Sequence, residues 1–380
     1  MSRLDELITE LCPDGVIFQR IEECCLLEKG KTPIQKAVPG EYPLVVTTSE
    51  RKSSNSYQFD KPSVCIPLVS SRGHGVASLN EVFYQEGKFA LGNILCCVTP
   101  KKESELSARF LCLYLNYSKD YLLVPHMKGG ANVSLSIDAI ARTKVPTPPL
   151  EVQKEIVRVL EAFSGLITEL TAELTARKKQ YEYYRNRVLS FGNNITRVPL
   201  SEIADVFRGE YITKKDSRAG KIPVILGGQE PAYYIDKANH EGEIVVIARS
   251  GVSAGFVSYW NEPIFVTDGF GYEAKEEKVI PKYLYYVLKR KEASLNAMKR
   301  GAGVPHVSGE MLGKVELPLP PISIQKRLVE VLDNFESICS DLNIGLPAEI
   351  EGRQKQYEYY CDLLLTFAEA GNKLDQIRSR

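Results

Sequence analysis

Histidine is scarce in this 380-residue chain, with four copies, and tryptophan occurs once. The nine cysteines contain no Cys-x-x-Cys motif. A zinc site therefore has almost no support, and no metal site is expected. Two cysteine pairs are adjacent, Cys24–Cys25 and Cys96–Cys97, inside apolar stretches, so buried reduced thiols are expected. No run of eighteen apolar residues exists, so no transmembrane helix and no membrane partner are expected. The opening MSRLDELITELCPDG lacks an apolar signal core, and a cytoplasmic location is the expectation. Net charge is missing too: 48 Lys+Arg cancel 48 Asp+Glu. What remains is an ordinary globular composition, 44% apolar and 25% charged, in a chain long enough for two domains.

The chain is written twice. PPLEVQKEIVRVLEAF (148–163) returns as PPISIQKRLVEVLDNF (320–335) at an offset of 172. KKQYEYYRNRVLSF (178–191) returns as QKQYEYYCDLLLTF (354–367) at an offset of 176, so the second copy has gained about one helical turn. Upstream segments correspond more loosely: EYPLVVTTSE with KIPVILGGQE, SSRGHGVAS with ARSGVSAGFVS, and MKGGANVSLS with MKRGAGVPHVS. Residues 1–147 and 197–318 each carry 17 basic and 16 acidic side chains, so the two variable segments match in charge as well.

Ile156, Leu160, Phe163, Ile167, Leu170, Leu174, Tyr181, Tyr184, Val188 and Phe191 recur at three-, four- and seven-residue steps. That spacing predicts one long helix with a coiled-coil stripe, entered through Pro148–Pro149. The second copy carries Ile324, Leu328, Val331, Phe335, Ile338 and Leu342, then Tyr357, Tyr360, Leu364 and Phe367. Gly345 and Pro347 interrupt it, and a break is expected there. The two stripes are expected to pair antiparallel. Between them, short β-rich runs such as YPLVVTT, GNILCCVTP, IPVILG and EIVVIARSG alternate with Gly, Pro, Asn and Asp. The predicted class is α+β: two similar domains joined by two long antiparallel helices in a coiled coil, with pseudo-two-fold organisation.

Catalytic motifs fail one by one. Gly30-Lys31-Thr32 ends like a phosphate loop, but Cys25 stands where the required glycine should be. Gly251-Val252-Ser253-Ala254-Gly255 satisfies G-x-S-x-G, yet the FVSYW after it reads as strand and not as the helix of a nucleophile elbow. Asp268 with Glu273 and Lys275 resembles a magnesium-holding nuclease set, and the matched region of the first half has nothing similar. A non-catalytic chain is expected.

Two similar domains on a rigid helix pair make a ruler, and duplex DNA is the natural object for one. Zero net charge weighs against phosphate binding, but local clusters such as Lys29, Lys31 and Lys36, or Lys299 and Arg300, offset it. The chain resembles the DNA specificity subunits of type I restriction–modification systems. The residues that carry the resemblance are the duplicated PPLEVQKEIV and PPISIQKRLV helix starts, the ELTAELTARKKQYEYYR helix with its KQYEYY twin, and the opening LCPDGV. The resemblance implies a target-recognition domain at 1–148, a spacer helix at 149–192, a second recognition domain at 193–320, and a second spacer helix with tail at 321–380. Each recognition domain would read one half of a bipartite, asymmetric double-stranded DNA target. The helices would set the spacer and dock two methyltransferase subunits, with restriction and translocase subunits joining the full complex. S-adenosylmethionine, ATP and magnesium would bind those partners, leaving this chain with no cofactor. A coiled-coil adaptor without a DNA role, or a nuclease using Asp268, Glu273 and Lys275, are the competing readings.

Arg72 and Arg249 are the leading DNA-contact candidates, read as matched turns after a strand, where arginine can fork onto guanine or phosphate. Two glycine turns come next: Lys128, Gly129, Gly130 and Asn132, and Lys299, Arg300 and Gly301, where backbone N–H groups can approach a phosphate. Ser134, His306 and Ser308 could add contacts from the same edge. Lys31 with Thr32, and Lys214 with Lys215, complete the set. For the docking surface that the resemblance implies, the candidates are Gln153, Gln325, Tyr181, Tyr184, Tyr357 and Tyr360. Duplicating residues 171–174 is expected to lengthen the spacer by up to about two base-pair steps.

Overall fold

The structure is a computed structural model that describes residues 3–72, 75–192, 194–213, 218–227, 230–301, 303–340 and 345–369. It divides into two compact units, one of residues 1–169 with 351–380 and the other of residues 170–350. The divisions fall inside the long helices. The unit containing the N-terminus is thus completed by the end of the chain.

In the first unit the strands Cys25–Lys29, Leu95–Pro100, Ser63–Pro67 and Phe83–Gln85 form, in that order, an antiparallel sheet. Side chains alternate across it as the strand period of two requires. Val64, Ile66, Cys96 and Val98 enter the main core beneath helix Ala108–Leu122. Cys65, Leu95 and Cys97 face the other way, into a smaller core with Val45, Phe89 and Leu91. The adjacent pair Cys96–Cys97 is therefore split between two cores, both thiols buried. Eight of the nine cysteines are buried and none is joined to another by a disulfide, as expected. A three-stranded sheet (Lys52–Ser54, Tyr42–Val45, Ala90–Leu91) includes one parallel pair, Leu44 with Ala90 and Val45 with Leu91. The ribbon Phe18–Arg20 with Lys144–Pro146 closes the unit.

The second unit repeats this strand for strand. Its four-stranded sheet runs Ala204–Arg208, Gly269–Ala274, Glu243–Ala248, Val257–Asn261. Its three-stranded sheet (Tyr233–Ile235, Ala219–Ile225, Phe265–Val266) carries the same parallel pair, and its ribbon is Arg197–Pro199 with Glu316–Pro318. Val245 and Ile247 face the main core with helix Pro281–Arg290, whereas Ile244 and Val246 face the small one.

Leu150–Val188 is one helix of 39 residues, about 58 Å long at 1.5 Å per residue. Its first half packs Val152, Ile156 and Leu160 into the first core, and Phe163 stacks on Tyr360 at 4.9 Å between ring centroids. From residue 351 on, helix Leu346–Leu365 and the segment after it lie in the same unit: Phe367 meets Phe110 edge-on, Asp362 accepts the Tyr117 hydroxyl at 2.9 Å, and the Val16 N–H donates to the Ala368 carbonyl. In the second unit Tyr184 stacks on Phe335 and Cys339 faces Arg177 and Lys178, so the pairing with helix Ile322–Ser340 is antiparallel. The break at Gly345 is observed. The next helix begins at Leu346 with Pro347 in its first turn, where the lost N–H has no helical partner anyway.

One detail departs from expectation. On Ile322–Ser340 the inward line is Gln325, Leu328, Leu332, Phe335 and Cys339, while Ile324, Val331 and Ile338 are exposed. The two sets differ by one position along the helix, a rotation that the apolar pattern alone does not fix. Among the described residues no helix is long and apolar enough to cross a membrane.

Candidate nucleic-acid interface

The same hydrogen-bonded ladder ends each unit. In the first, the Leu68 carbonyl accepts the Leu135 N–H at 2.8 Å and the Ser70 N–H donates to the Val133 carbonyl at 3.0 Å. Lys128 and Ser134 exchange two bonds, at 2.8 and 2.9 Å. In the second, the Arg249 carbonyl accepts from Val307 and the Gly251 N–H donates to Pro305, both at 2.9 Å, while Arg300 and His306 exchange theirs at 3.0 and 2.9 Å. Gly129 and Gly301 turn both hairpins with positive φ, 141° and 116°. A Cβ on Gly129 would lie 2.1 Å from the Asn132 carbonyl oxygen, so only glycine makes that turn.

This ladder sets a register, and the register corrects the leading pair. Leu68 is the counterpart of Arg249, since each accepts from the matched residue of the second hairpin. Leu68 is buried, and Arg72 lies four residues farther along an exposed loop. The sequence match failed because the two loops differ in length while the bonds behind them do not. Arg249 itself is one-third exposed and pairs with Asp268 at 3.6 Å, a carboxylate that also accepts the Ser250 hydroxyl. Arg72 keeps its backbone on the Ser70 hydroxyl at 3.2 Å, and its side chain is exposed.

Lys128, Gly130, Asn132, Ser134, Arg300, Gly301 and His306 are exposed along the two hairpins. Lys299 donates to the Val252 carbonyl at 3.4 Å, bridging the loops of the second unit. Lys31 and Thr32 join the same end of the first unit's sheet. Lys29 pairs with Cys96 and Pro67 with Leu95, so both strands finish beside the start of Leu95–Pro100. There the Lys31 N–H is held by Gln58 and the Thr32 N–H by Leu91. Lys214 and Lys215 lie outside the described residues. Ser308 caps helix Gly309–Gly313 by accepting the Met311 N–H, as Ser136 caps its counterpart, so its hydroxyl oxygen is already engaged in the fold.

The two edges differ in chemistry. A cleft of about 530 Å³ in the first unit is lined by His126, Lys128, Ser134, Asp138 and Arg142. One of about 430 Å³ in the second is lined by Leu226, Glu230, Val252, Asp268 and Val304. Of these, His126, Arg142, Leu226, Val252 and Val304 were not legible in the sequence as contact candidates. The 172-residue offset alone would have set Val304 against Asn132.

The docking candidates are also revised. Gln153 and Gln325 have no exposed surface. Gln153 accepts the Ser107 N–H at 2.8 Å and donates to the Glu105 and Pro148 carbonyls at 2.8 and 2.7 Å. Gln325 does the same with Ile280, Lys278 and Pro320 at 2.9, 3.1 and 2.8 Å. Both donors and one oxygen lone pair of each amide are spent inside its own unit, and with no exposed surface neither amide is open to a partner. Tyr181 and Tyr357 pack against the two cores, Tyr360 stacks on Phe163, and Tyr184 stacks on Phe335 while remaining 39% exposed. The most exposed tyrosines of the two KQYEYY copies are Tyr183 and Tyr359, at 57% and 63%.

The nuclease set does not assemble. Asp268 precedes and Lys275 follows the strand Gly269–Ala274, which puts Asp268 about 17 Å from Glu273 at 3.3 Å per residue. Lys275 pairs with Asp205 at 3.1 Å. Among the described residues no group of three or more His, Cys, Asp or Glu side chains could hold a metal ion. The Gly251–Gly255 turn leads into strand Val257–Asn261, so it is no nucleophile elbow.

The sequence pattern of the type I restriction modification DNA specificity domain matches this chain twice, over residues 13–177 and 193–352. A putative type I restriction enzyme specificity subunit of Haemophilus influenzae is 32% identical over 329 residues, 79% of this chain and 82% of its own. An Escherichia coli type I restriction enzyme specificity subunit is 31% identical over 262 residues, 61% of this chain and 65% of its own. The crystal structure of a type I restriction–modification S subunit from M. genitalium matches with a TM-score of 0.62 and 17% identity, covering 92% of this chain and 94% of that one.

Proposed function

Because the chain belongs to the type I restriction modification DNA specificity family, as a non-catalytic specificity subunit with two recognition domains, we propose that each unit reads one half of a bipartite, asymmetric duplex target. The observation that carries this reading is the duplicated hairpin edge. Lys128, Ser134 and Arg72 stand on one copy, and Lys299, Arg300, His306 and Arg249 on the other. Lysine and arginine on glycine turns suit phosphate, and arginine and histidine beside them suit base edges. Arg249, with its side chain held by Asp268, is the better-oriented of the two leading arginines. Arg72 and Lys31 act as backbone contacts.

The long helices fix the unread spacer and carry two methyltransferase subunits, with restriction and translocase subunits joining the full complex. The exposed apolar line of Ile324, Val331 and Ile338, together with Tyr183 and Tyr359, is what we assign to the methyltransferases. S-adenosylmethionine, ATP and magnesium belong to those partners.

The test is affinity for duplex DNA at two salt concentrations, measured on the chain with its methyltransferase subunits. A phosphate-reading protein loses affinity steeply with salt, and Lys128→Ala or Arg300→Ala should each lower the logarithmic salt slope by about 1. A slope unaffected by both substitutions would remove the hairpin edges from the interface.

A further inference from the structure

Three exposed apolar side chains stand at the second unit's edge. Val252 is 92% exposed, Val304 67% and Leu226 52%, and all three line the same cleft with Asp268. A single exposed valine needs no explanation, whereas three converging on one concavity mark a contact. The loop that carries Val252 is not loose. Gly251 and Gly255 turn it with φ of 76° and 88°, Ala254 is fully buried beneath it, and the Ala254 carbonyl accepts from the Asn296 side chain at 2.8 Å. Val252 is thus held outward by an anchored turn.

Its surroundings indicate the occupant. Lys299 lies on the Val252 carbonyl at 3.4 Å, and Arg249, Arg300 and His306 belong to the adjoining ladder. The charged residues lining the cleft itself are Glu230 and Asp268, the latter paired with Arg249, and the positive charge beside the tip comes from Lys299 and Arg300. An apolar tip flanked by these cations complements a groove whose walls are phosphate and whose floor bears one apolar group. In duplex DNA that group is the C5-methyl of thymine in the major groove. We infer that Val252 and Val304 form a reading tip for a thymine methyl in the half-site taken by the second unit, with Leu226 closing the cleft behind it. The first unit differs at the positions of both valines, and of the described residues in its loop Val76 is 45% exposed. In the ladder register Ser71 stands at the place of Val252 and Asn132 at that of Val304, so at those two places its edge presents hydrogen-bonding groups instead. The inference rests on the DNA-reading role proposed above and gives that role a chemical difference between its two halves.

The experiment replaces each thymine of the methylated motif, one at a time, with deoxyuridine, which removes only the methyl. Binding is measured for the chain assembled with its methyltransferase subunits. One thymine, in one half-site, should weaken binding about fourfold when its methyl is removed, the worth of one buried methyl-sized group. The Val252→Ala/Val304→Ala variant should bind the thymine and uracil duplexes alike. Both side chains are exposed, so their truncation leaves the cores intact. The inference is overturned if no thymine responds, or if the response survives in the variant. It is also overturned if the variant keeps thymine discrimination but sheds the methyltransferases, which would make the tip a protein contact. Salt-insensitive binding with no bipartite motif would instead remove the DNA-reading role itself.

Discussion

Replacing Gln153 by methionine keeps the volume of the side chain and deletes all three of its hydrogen bonds. The Ser107 N–H and the Glu105 and Pro148 carbonyls then lose their partner in a position with no exposed surface. A net bond is worth about 1 kcal/mol, and a buried group left unpaired costs about 1–3 kcal/mol. Two of the three bonds are only partly buried, so water can recover some of that loss. The expected destabilisation is about 2–4 kcal/mol, a large share of the roughly 5–15 kcal/mol that holds a domain together. A two-unit chain has no single unfolding curve, so hydrogen exchange read by mass spectrometry is the assay. At about 1.4 kcal/mol per tenfold, peptides spanning 105–115 and 148–160 should exchange at least thirtyfold faster. Peptides spanning 278–290 and 320–330 should be unchanged. Gln325→Met should invert the pattern, because its clamp holds Ile280, Lys278 and Pro320. A change under threefold, or equal acceleration in both units, would refute the clamp. A glutamine acting on a partner surface would leave exchange unaltered and impair only assembly.

Other consequences rest on named side chains. Tyr183→Ala with Tyr359→Ala should weaken methyltransferase association about tenfold or more without changing hydrogen exchange in either unit of the free chain, by analogy with buried aromatic anchors at interfaces. Tyr360→Ala, which removes the stack on Phe163, should instead cost stability, read as faster hydrogen exchange in peptides spanning 155–165 and 354–365. Cys24 is the one cysteine that is not buried, and its thiol is lowered first by the hydrogen bond from Cys25 at 3.8 Å and further by nearby Lys101. The Cys25 thiol is pushed up by that same bond and by burial. Because the thiolate is the nucleophile, Cys24 should alkylate before the other eight at pH 8, its reactivity rising from a lower pH than that of an ordinary thiol. Uniform labelling would contradict this. Duplicating residues 171–174 adds one turn, about 6 Å, to the long helix and should widen the unread spacer of the methylation motif without altering either half-site; an unchanged spacer would free the helix from that role.

The repeat made most of the architecture legible. A chain written twice, with proline-led helices at the same offset, led to duplicated sheets and long antiparallel helices. The glycine hairpins could be found as well, because positive φ leaves a compositional trace at Gly129 and Gly301. The register between turns could not. Arg72 and Arg249 align by eye because a glycine follows each within two residues, yet the backbone bonds accepted by Leu68 and Arg249 decide the match. Gln153 and Gln325 misled for a different reason. A polar residue three positions into a helix reads as surface, and only the carbonyls of a distant loop reveal that it is an internal clamp. The exposed line of Ile324, Val331 and Ile338 reads as core because an apolar period marks a face without saying which way it points. The small three-stranded sheets, with their two-residue parallel pairs, are too short for any period to register.

Selection of a bipartite DNA target for methylation is tested most directly by a genome-wide map of N6-methyladenine. The host should express the methyltransferase subunits, and the map should be made with and without this gene. Removing the gene should erase one asymmetric, bipartite motif, and deleting residues 41–140 should erase the information in one half only. An unchanged map in that host would contradict the specificity role.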